Sequence, residues 1–225
     1  MKLPRMLHRW NVTPAEAIAI QRELASKVEM SRMHRPVRFV AGLDASITPD
    51  EKWYVAAVVL WDVRDGVVVE QHVARRRLMF PYVPGLLSFR EAPALLAAIG
   101  KLRTLPDVLM CDGQGLAHPR RFGIACHVGL LAGVPSIGCA KSILIGEHGT
   151  LKPARGSTVA LIDRGERVGT VLRTRDGVNP VYVSVGHRIN LAGVEEIVLQ
   201  CSIGVRLPEP TRLAHQLCGK ARLTV

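Results

Sequence analysis

The 225 residues of this chain include 30 Lys plus Arg against 19 Asp plus Glu, which gives a formal net charge of +11 and an isoelectric point near 10.0. Such a surface attracts polyanions through counterion release, so nucleic acid is the leading partner, although basic surfaces without such a partner are also common. No apolar run reaches the ~20 residues of a membrane span or resembles a signal peptide, so we expect a cytoplasmic protein and no membrane partner.

The amount of apolar sequence bounds the domain organisation. With 48% hydrophobic residues, the chain can build one substantial core, and we expect a single domain over residues 1–225 and a monomer. The cysteines are odd in number, widely spaced and lack a CxxC pair of the kind that builds zinc sites, so we predict that they are reduced and buried. They are Cys111, Cys126, Cys139, Cys201 and Cys218.

The N-terminal part predicts one helix and then three strands. Thr13, Pro14 and Glu16 are typical of a helix start, and we expect the helix to run to about Met30. Asp65-Gly66 marks a tight hairpin between two apolar runs, so the strands are expected to form an antiparallel meander. The three predicted strands lie at 38–47, 53–62 and 67–78.

The next helix follows the proline-punctuated loop PYVPG. Its apolar positions repeat at helical spacing and are Leu95, Leu96, Ile99 and Leu102. Ser88 and Glu91 have the spacing of a capping box, which would begin the helix early. That register puts Pro93 inside the first turns, where its ring would crowd the carbonyl of Phe89, so we expect the helix to begin at about Pro93.

A strand, helix and strand come next. DVLMCDGQG is predicted to be a buried strand that ends in a glycine-rich turn, RRFGIACHVGLLAG a helix closed by Gly133, and VPSIGCAKS another strand. A right-handed parallel crossover would bring Asp112 and Lys141 to the same carboxyl edge of the sheet. The remaining predicted elements are a hairpin at 157–172 through Arg164-Gly165, a strand at 181–186, a helix at 190–201 and a short helix after Pro210.

The element order resembles the RNase H-like arrangement. We therefore expect an α/β fold in which a central mixed sheet, three antiparallel strands and then parallel strands, is flanked by helices.

Three carboxylates are candidates for chemistry, and each has an ordinary structural alternative. Asp44 sits among apolar strand residues, where an ionised group needs a partner; a salt bridge would also explain it. Asp112 ends a predicted strand before Gly113, where open α/β sheets gather ligands, but Asp-Gly is also a common turn. Glu91 precedes the expected helix start or caps it. Together the three would suit Mg²⁺ or Mn²⁺, which prefer oxygen ligands.

Four segments in order resemble the signature blocks of the endonuclease V family. They are FVAGLDAS, PYVPGLLSFREAP, DVLMCDGQGLAHPRRFGIACHVGLLAGVPSIGCAKS and LPEPTRLAH, and they span residues 39–215. The resemblance implies that Asp44, Glu91 and Asp112 bind the catalytic metal, with His215 as a further member near the site. It also implies that Lys141 is a cation near the scissile phosphate, where a solvated lysine is the alternative.

The resemblance also implies a substrate. The family cuts nucleic acid one nucleotide to the 3′ side of inosine (deaminated adenine) and leaves 3′-hydroxyl and 5′-phosphate ends, in repair of DNA or, for some members, on RNA. Tyr82 in the proline loop would be the wedge that separates the strands. The residues that would recognise the base are Gly85, Leu87, Gly113, His118 and Gly123, although each glycine alone could equally serve a turn.

Two positions depart from the family pattern, and two other functions remain open. Ile47 stands where an aromatic residue is more frequent, which leaves the substrate shape near the first strand open. Ala92 replaces a common glycine, which could change how Glu91 is presented. The alternatives are a structure-selective nuclease of the same fold without inosine preference and a non-catalytic nucleic-acid-binding module.

Overall fold

An eight-stranded mixed sheet with helices on both faces is the centre of the computed structural model, which describes residues 1–3, 6–33 and 35–223. The helices and strands in chain order are α1 (Pro14–Ala25), β1 (Phe39–Ile47), β2 (Trp53–Asp62), β3 (Val67–Arg77), α2 (Leu87–Ile99), β4 (Val108–Cys111), α3 (Ile124–Ala132), β5 (Ser136–Ala140), β6 (Thr158–Asp163), β7 (Glu166–Leu172), β8 (Val181–His187), α4 (Leu191–Cys201) and α5 (Glu209–Ala221).

The strand order is β3-β2-β1-β4-β5-β8-β7-β6. The meander β1-β2-β3 is antiparallel, and β1, β4 and β5 run parallel, both as predicted. Three further antiparallel strands extend the expected sheet. The strand β8 pairs with β5, β7 pairs with β8, and β6 pairs with β7. The parallel strands are therefore the three in the middle, and their carboxyl ends share one edge.

Alternation along β1 explains why helices cover both faces. Ala41 and Leu43 pack with α2 and α3, whereas Val40 belongs to the cluster beneath α4. The helix α5 packs on the same face as α4, over β1 and β2. All five cysteines are buried and free of disulfides, as predicted. Among the helices of the described ranges, none is long and apolar enough to cross a bilayer.

The first helix has the predicted start but an earlier end. Thr13 and Glu16 form the capping box with Pro14 at the first helical position. The end expected near Met30 was wrong, because the helix stops at Ala25. The chain beyond it is bound to the end of β8, where Arg188 N–H donates to the Glu29 carbonyl at 2.7 Å, so a tertiary contact overrides the helical pattern.

The predicted start of α2 was also wrong, because the helix begins at Leu87 and holds Pro93 in its interior. The capping box does not form either, since Ser88 Oγ pairs with His127 Nδ1 at 2.9 Å. Interior proline costs about 3 kcal/mol or more. Burial of Leu86 and Phe89 against α1 offsets that cost, because each fully buried large side chain contributes about 1.5–3 kcal/mol.

Glu70 binds the segment that follows α2 to β3, which is one of the two edge strands of the sheet. Its carboxylate accepts hydrogen bonds from the backbone N–H groups of Arg103 and Thr104 and pairs with His72 Nε2 at 2.8 Å. Burial alone would raise the pKa of Glu70, but these hydrogen bonds outweigh it and lower the pKa to about 2. The stabilisation is therefore present above pH 4.5, the ordinary value, and is lost as the pH falls toward 2.

We expect Glu70→Gln to lower the free energy of unfolding by about 1–3 kcal/mol at pH 7, because hydrogen bonds to a charged acceptor are lost. The difference in free energy of unfolding between the variant and wild type should be smaller at pH 3, because the stabilisation by the Glu70 carboxylate decreases as the pH approaches its lowered pKa. Urea unfolding at both pH values measures it, with the exposed Glu196→Gln as the matched control. An equal loss at both pH values would assign the effect to shape and not to charge.

Candidate active site

Two aspartates and a histidine meet at the carboxyl edge of the parallel strands. Asp44 lies in β1 and Asp112 directly follows β4, whose chain is tied to β1 by the Asp112 N–H to Leu43 carbonyl bond at 3.2 Å. His215 comes from α5, and its Nδ1 is 3.0 Å from Asp44 Oδ2. One potential ligand atom from each of the three residues lies within 4.8 Å of the other two.

Gly42 explains how α5 reaches Asp44. A Cβ at this position would overlap the backbone of Pro210 and Thr211 at the start of α5. Because glycine removes that obstacle, the helix lies directly on β1. The next turn of the helix then carries His215 to the Asp44 carboxylate.

Two of the acidic groups, Asp44 and Glu91, have raised pKa values. Burial and then the charge of Asp112 raise the pKa of Asp44 above its ordinary value. Burial and then the charges of Asp44 and Asp112 raise the pKa of Glu91 to about 8. Glu91 occupies the second turn of α2, so the expectation that it precedes the helix was wrong, yet it is electrostatically coupled to both aspartates.

Lys141 also lies at this edge, as the crossover predicted. It follows β5, and its Nζ is 2.5 Å from Asp112 Oδ2. The Lys141 ammonium group is therefore close to Asp112, and the His215 imidazole is close to Asp44. Hard oxygen donors with a nearby imidazole nitrogen are a donor set that fits a divalent cation. A cation would relieve the repulsion that adds to burial in raising the pKa values of Asp44 and Glu91.

A cavity of about 390 Å³ opens beside the acidic cluster. Asp112 and Lys141 line both this cavity and the smaller pocket that holds Asp44 and His215. The other walls include all six residues that the sequence nominated for substrate binding, namely Tyr82, Gly85, Leu87, Gly113, His118 and Gly123. A recess of this size, with both apolar and polar groups on its walls, is typical of a site for a small ligand group.

Comparisons with known proteins show which family the chain belongs to. The family model for endonuclease V matches residues 22–216. An endonuclease V of Roseiflexus castenholzii is 50% identical over 220 residues, which cover 98% of both chains. The crystal structure of endonuclease V from Streptomyces avermitilis has a TM-score of 0.90 and 42% identity, with 94% of both chains covered. This chain belongs to the endonuclease V family.

Membership in the endonuclease V family makes the chain a hydrolase of the deoxyribonuclease V type and confirms the RNase H-like fold. A more distant member, from Ciona intestinalis, was solved in complex with a 24mer DNA containing an inosine followed by a ribo-adenosine. Its TM-score is 0.81 at 26% identity, with 92% of this chain and 96% of that chain covered.

The residues that line the cavity of this endonuclease V family member differ in solvent exposure and in their contacts. Tyr82 is 69% exposed at the mouth of the cavity, and Leu87 is 38% exposed at the first position of α2. Gly123 is the N-cap of α3, where a Cβ would overlap the backbone of Gln114. The loop and the helix can therefore approach each other only because position 123 is glycine.

Two buried polar residues of the wall, Gln21 and Gln114, escaped the sequence analysis. Gln114 Nε2 donates to the Ser142 carbonyl at 2.9 Å, and Gln114 Oε1 is buried with no hydrogen-bond partner among the described residues. Gln21 lies on the buried stripe of α1 between Ala17 and Leu24. A polar residue on an apolar stripe is the signal that could have identified Gln21.

Proposed function

We propose that this protein hydrolyses nucleic acid one nucleotide to the 3′ side of inosine, with Mg²⁺ as its cofactor and Mn²⁺ as a substitute. The observation that carries the proposal is the position of the acidic cluster, which shares Asp112 and Lys141 with a cavity large enough for a purine base. Cutting and base recognition are thereby adjacent, which is the arrangement a damage-directed nuclease requires.

The acidic side would hold the cation and the reacting phosphate. A bound divalent ion supplies Lewis-acid activation of a water molecule and stabilisation of the departing oxygen. Asp44 and Asp112 would bind it, with Glu91 as the third carboxylate and His215 orienting Asp44. Lys141, already 2.5 Å from Asp112, would neutralise charge that develops on the phosphate.

The cavity would receive the extruded base. Exposed Tyr82 would occupy the gap left in the duplex, while Gly85, Gly113 and Gly123 let backbone groups approach the edge of the base. Leu87 would pack against the ring. The inosine-containing DNA bound by the Ciona intestinalis relative supports this substrate.

The charge of the chain favours a nucleic-acid substrate in general. A net charge of +11 raises the local concentration of DNA or RNA and gives salt-dependent binding, without specifying the base. We propose that residues 1–225 act as one catalytic domain and a monomer. Base specificity then has to come from the cavity.

A nicking assay with paired duplexes tests the proposal. Two oligonucleotides that differ only in adenosine or inosine at one position are incubated with Mg²⁺ or with chelator, and an RNA pair is run beside them. We expect a single cut 3′ to inosine, a 5′-phosphate product end and no cutting in chelator. Equal rates on the adenosine and inosine strands would indicate a structure-selective nuclease, and no cutting of any strand would indicate a binding module.

A further inference from the structure

Three side chains donate hydrogen bonds to one backbone oxygen on the wall of the cavity. The Gly85 carbonyl accepts from Gln21 Nε2 at 3.0 Å, from His118 Nε2 at 3.0 Å and from Arg120 Nη2 at 2.7 Å. A carbonyl oxygen has two lone pairs, so three donors exceed the usual number. This convergence, here called the Gly85 clamp, fixes the peptide plane that leaves the PYVPG loop.

Gln21 is the buried centre of the clamp. Its side chain is 1% exposed, and its Oε1 accepts from Arg120 Nε at 2.5 Å while its Nε2 also approaches the Phe122 carbonyl at 3.3 Å. Both polar atoms are therefore used within the protein. A buried amide that joins α1 to two loops stabilises their relative position, because each alternative loop arrangement would leave it unsatisfied.

His118 is committed to the same clamp by both ring nitrogens. Nε2 faces a carbonyl and must donate, and Nδ1 accepts from the Arg120 backbone N–H at 3.2 Å, so one neutral tautomer satisfies both bonds. Burial and then the Arg120 charge lower the pKa of His118 to about 4, which keeps this tautomer at neutral pH. The ring nitrogens are thus occupied by the loop and are not free for a base.

Gly85 itself is shaped for this contact. Its φ is +77°, and a Cβ there would meet Arg120 Nη2 at 2.6 Å. Gly85 is the third residue of a turn that is closed by the Leu86 N–H to Val83 carbonyl bond at 2.9 Å. The clamp therefore holds the segment that presents Tyr82 to the substrate and Gly85 to the cavity.

We infer that Gln21, His118 and Arg120 are positioning residues that preorganise the Tyr82 loop and thereby set inosine binding and discrimination, without touching the metal cluster. The inference rests on the proposed function. A loop fixed before binding does not have to be ordered by the substrate, which improves affinity and leaves the chemical step unchanged. The clamp matters most on duplex DNA, where the loop must hold its place while a base leaves the stack.

Single-turnover cutting by Gln21→Met tests this, with exposed Gln200→Met on α4 as the matched control. On inosine duplex in Mg²⁺, we expect the enzyme concentration at half-maximal rate to rise about tenfold, while the maximal rate stays within about threefold. Preference for inosine over adenosine should fall by a similar factor. On single-stranded inosine DNA, the deficit should be clearly smaller.

The outcomes separate the inference from the proposed function. A fall in the maximal rate without a change in half-saturation, or an unchanged profile, overturns the clamp. If wild-type protein lacks inosine preference, the proposed function fails whatever the variant does. If Gln21→Met does not fold, Arg120→Met removes two of the hydrogen bonds from a half-buried side chain and has the same expected result.

Discussion

Asp44→Asn is expected to reduce the single-turnover rate on inosine duplex in Mg²⁺ by about 10³-fold, which corresponds to ~4 kcal/mol of transition-state stabilisation. The amide keeps the shape of the carboxylate but removes the charge that holds a cation beside Asp112. It also weakens the 3.0 Å pairing with His215. Rates are measured with enzyme in excess, so that slow product release does not conceal the chemical step.

Asp65→Asn is the matched control for this change. Asp65 lies in the β2–β3 hairpin near Arg38, at the opposite end of β1 from Asp44, and is exposed. Its substitution should leave the rate unchanged. A variant at position 44 that cuts within threefold of wild type would show that the acidic cluster is not the catalytic metal site.

Glu91→Gln is expected to abolish most cutting and, in chelator, to stabilise the fold. The pKa of Glu91, raised to about 8 by burial and by Asp44 and Asp112, exceeds its ordinary value of 4.5. The folded protein therefore binds this proton more tightly than the unfolded chain does. The resulting stabilisation is complete below pH 4.5 and is lost as the pH rises through 8.

Glutamine removes this pH dependence, because it resembles the protonated acid and carries no charge. In chelator at pH 8.5, we expect the Tm of Glu91→Gln to exceed that of wild type by about 5 °C or more. The difference should nearly vanish at pH 4.5. Adding Mg²⁺ at pH 8.5 should raise the Tm of wild type more than that of the variant.

Thermal unfolding monitored by circular dichroism measures these shifts, with exposed Glu196→Gln as control. Equal Tm values for wild type and Glu91→Gln at pH 8.5 would contradict a Glu91 pKa raised to about 8. The two effects are related, because the burial and the neighbouring carboxylates that make a charged Glu91 unfavourable without a cation are offset when a cation binds.

Several parts of the site could be anticipated because they depend on local pattern and chain order. The parallel crossover from β4 to β5 placed Asp112 and Lys141 at one edge, and the structure joins them at 2.5 Å. Asp44 was a candidate because it lies among apolar strand residues, and the family resemblance added His215. The contact between the two depends on α5 returning across β1. No periodicity in the sequence indicates that return.

The start of α2 shows why local rules can fail. Pro93 is disfavoured inside a helix, so the pattern predicted a late start, but Leu86 and Phe89 gain more by packing under α1 than the proline costs. The Gly85 clamp could not be predicted from the sequence for a related reason. Its donors come from positions 21, 118 and 120, and their convergence on one carbonyl is a property of the packed molecule.

The sequence by itself determined the strands, most helix positions, the basic charge and the family, because these depend on residue type, short-range periodicity and ordered motifs. Only the tertiary structure decided where α1 ends, where α2 begins, and how the acidic cluster, the cavity and the clamp fit together. The physical reason is that burial and hydrogen bonding between distant segments outweigh local propensities, which are about 1 kcal/mol or less for most residues and about 3 kcal/mol for proline.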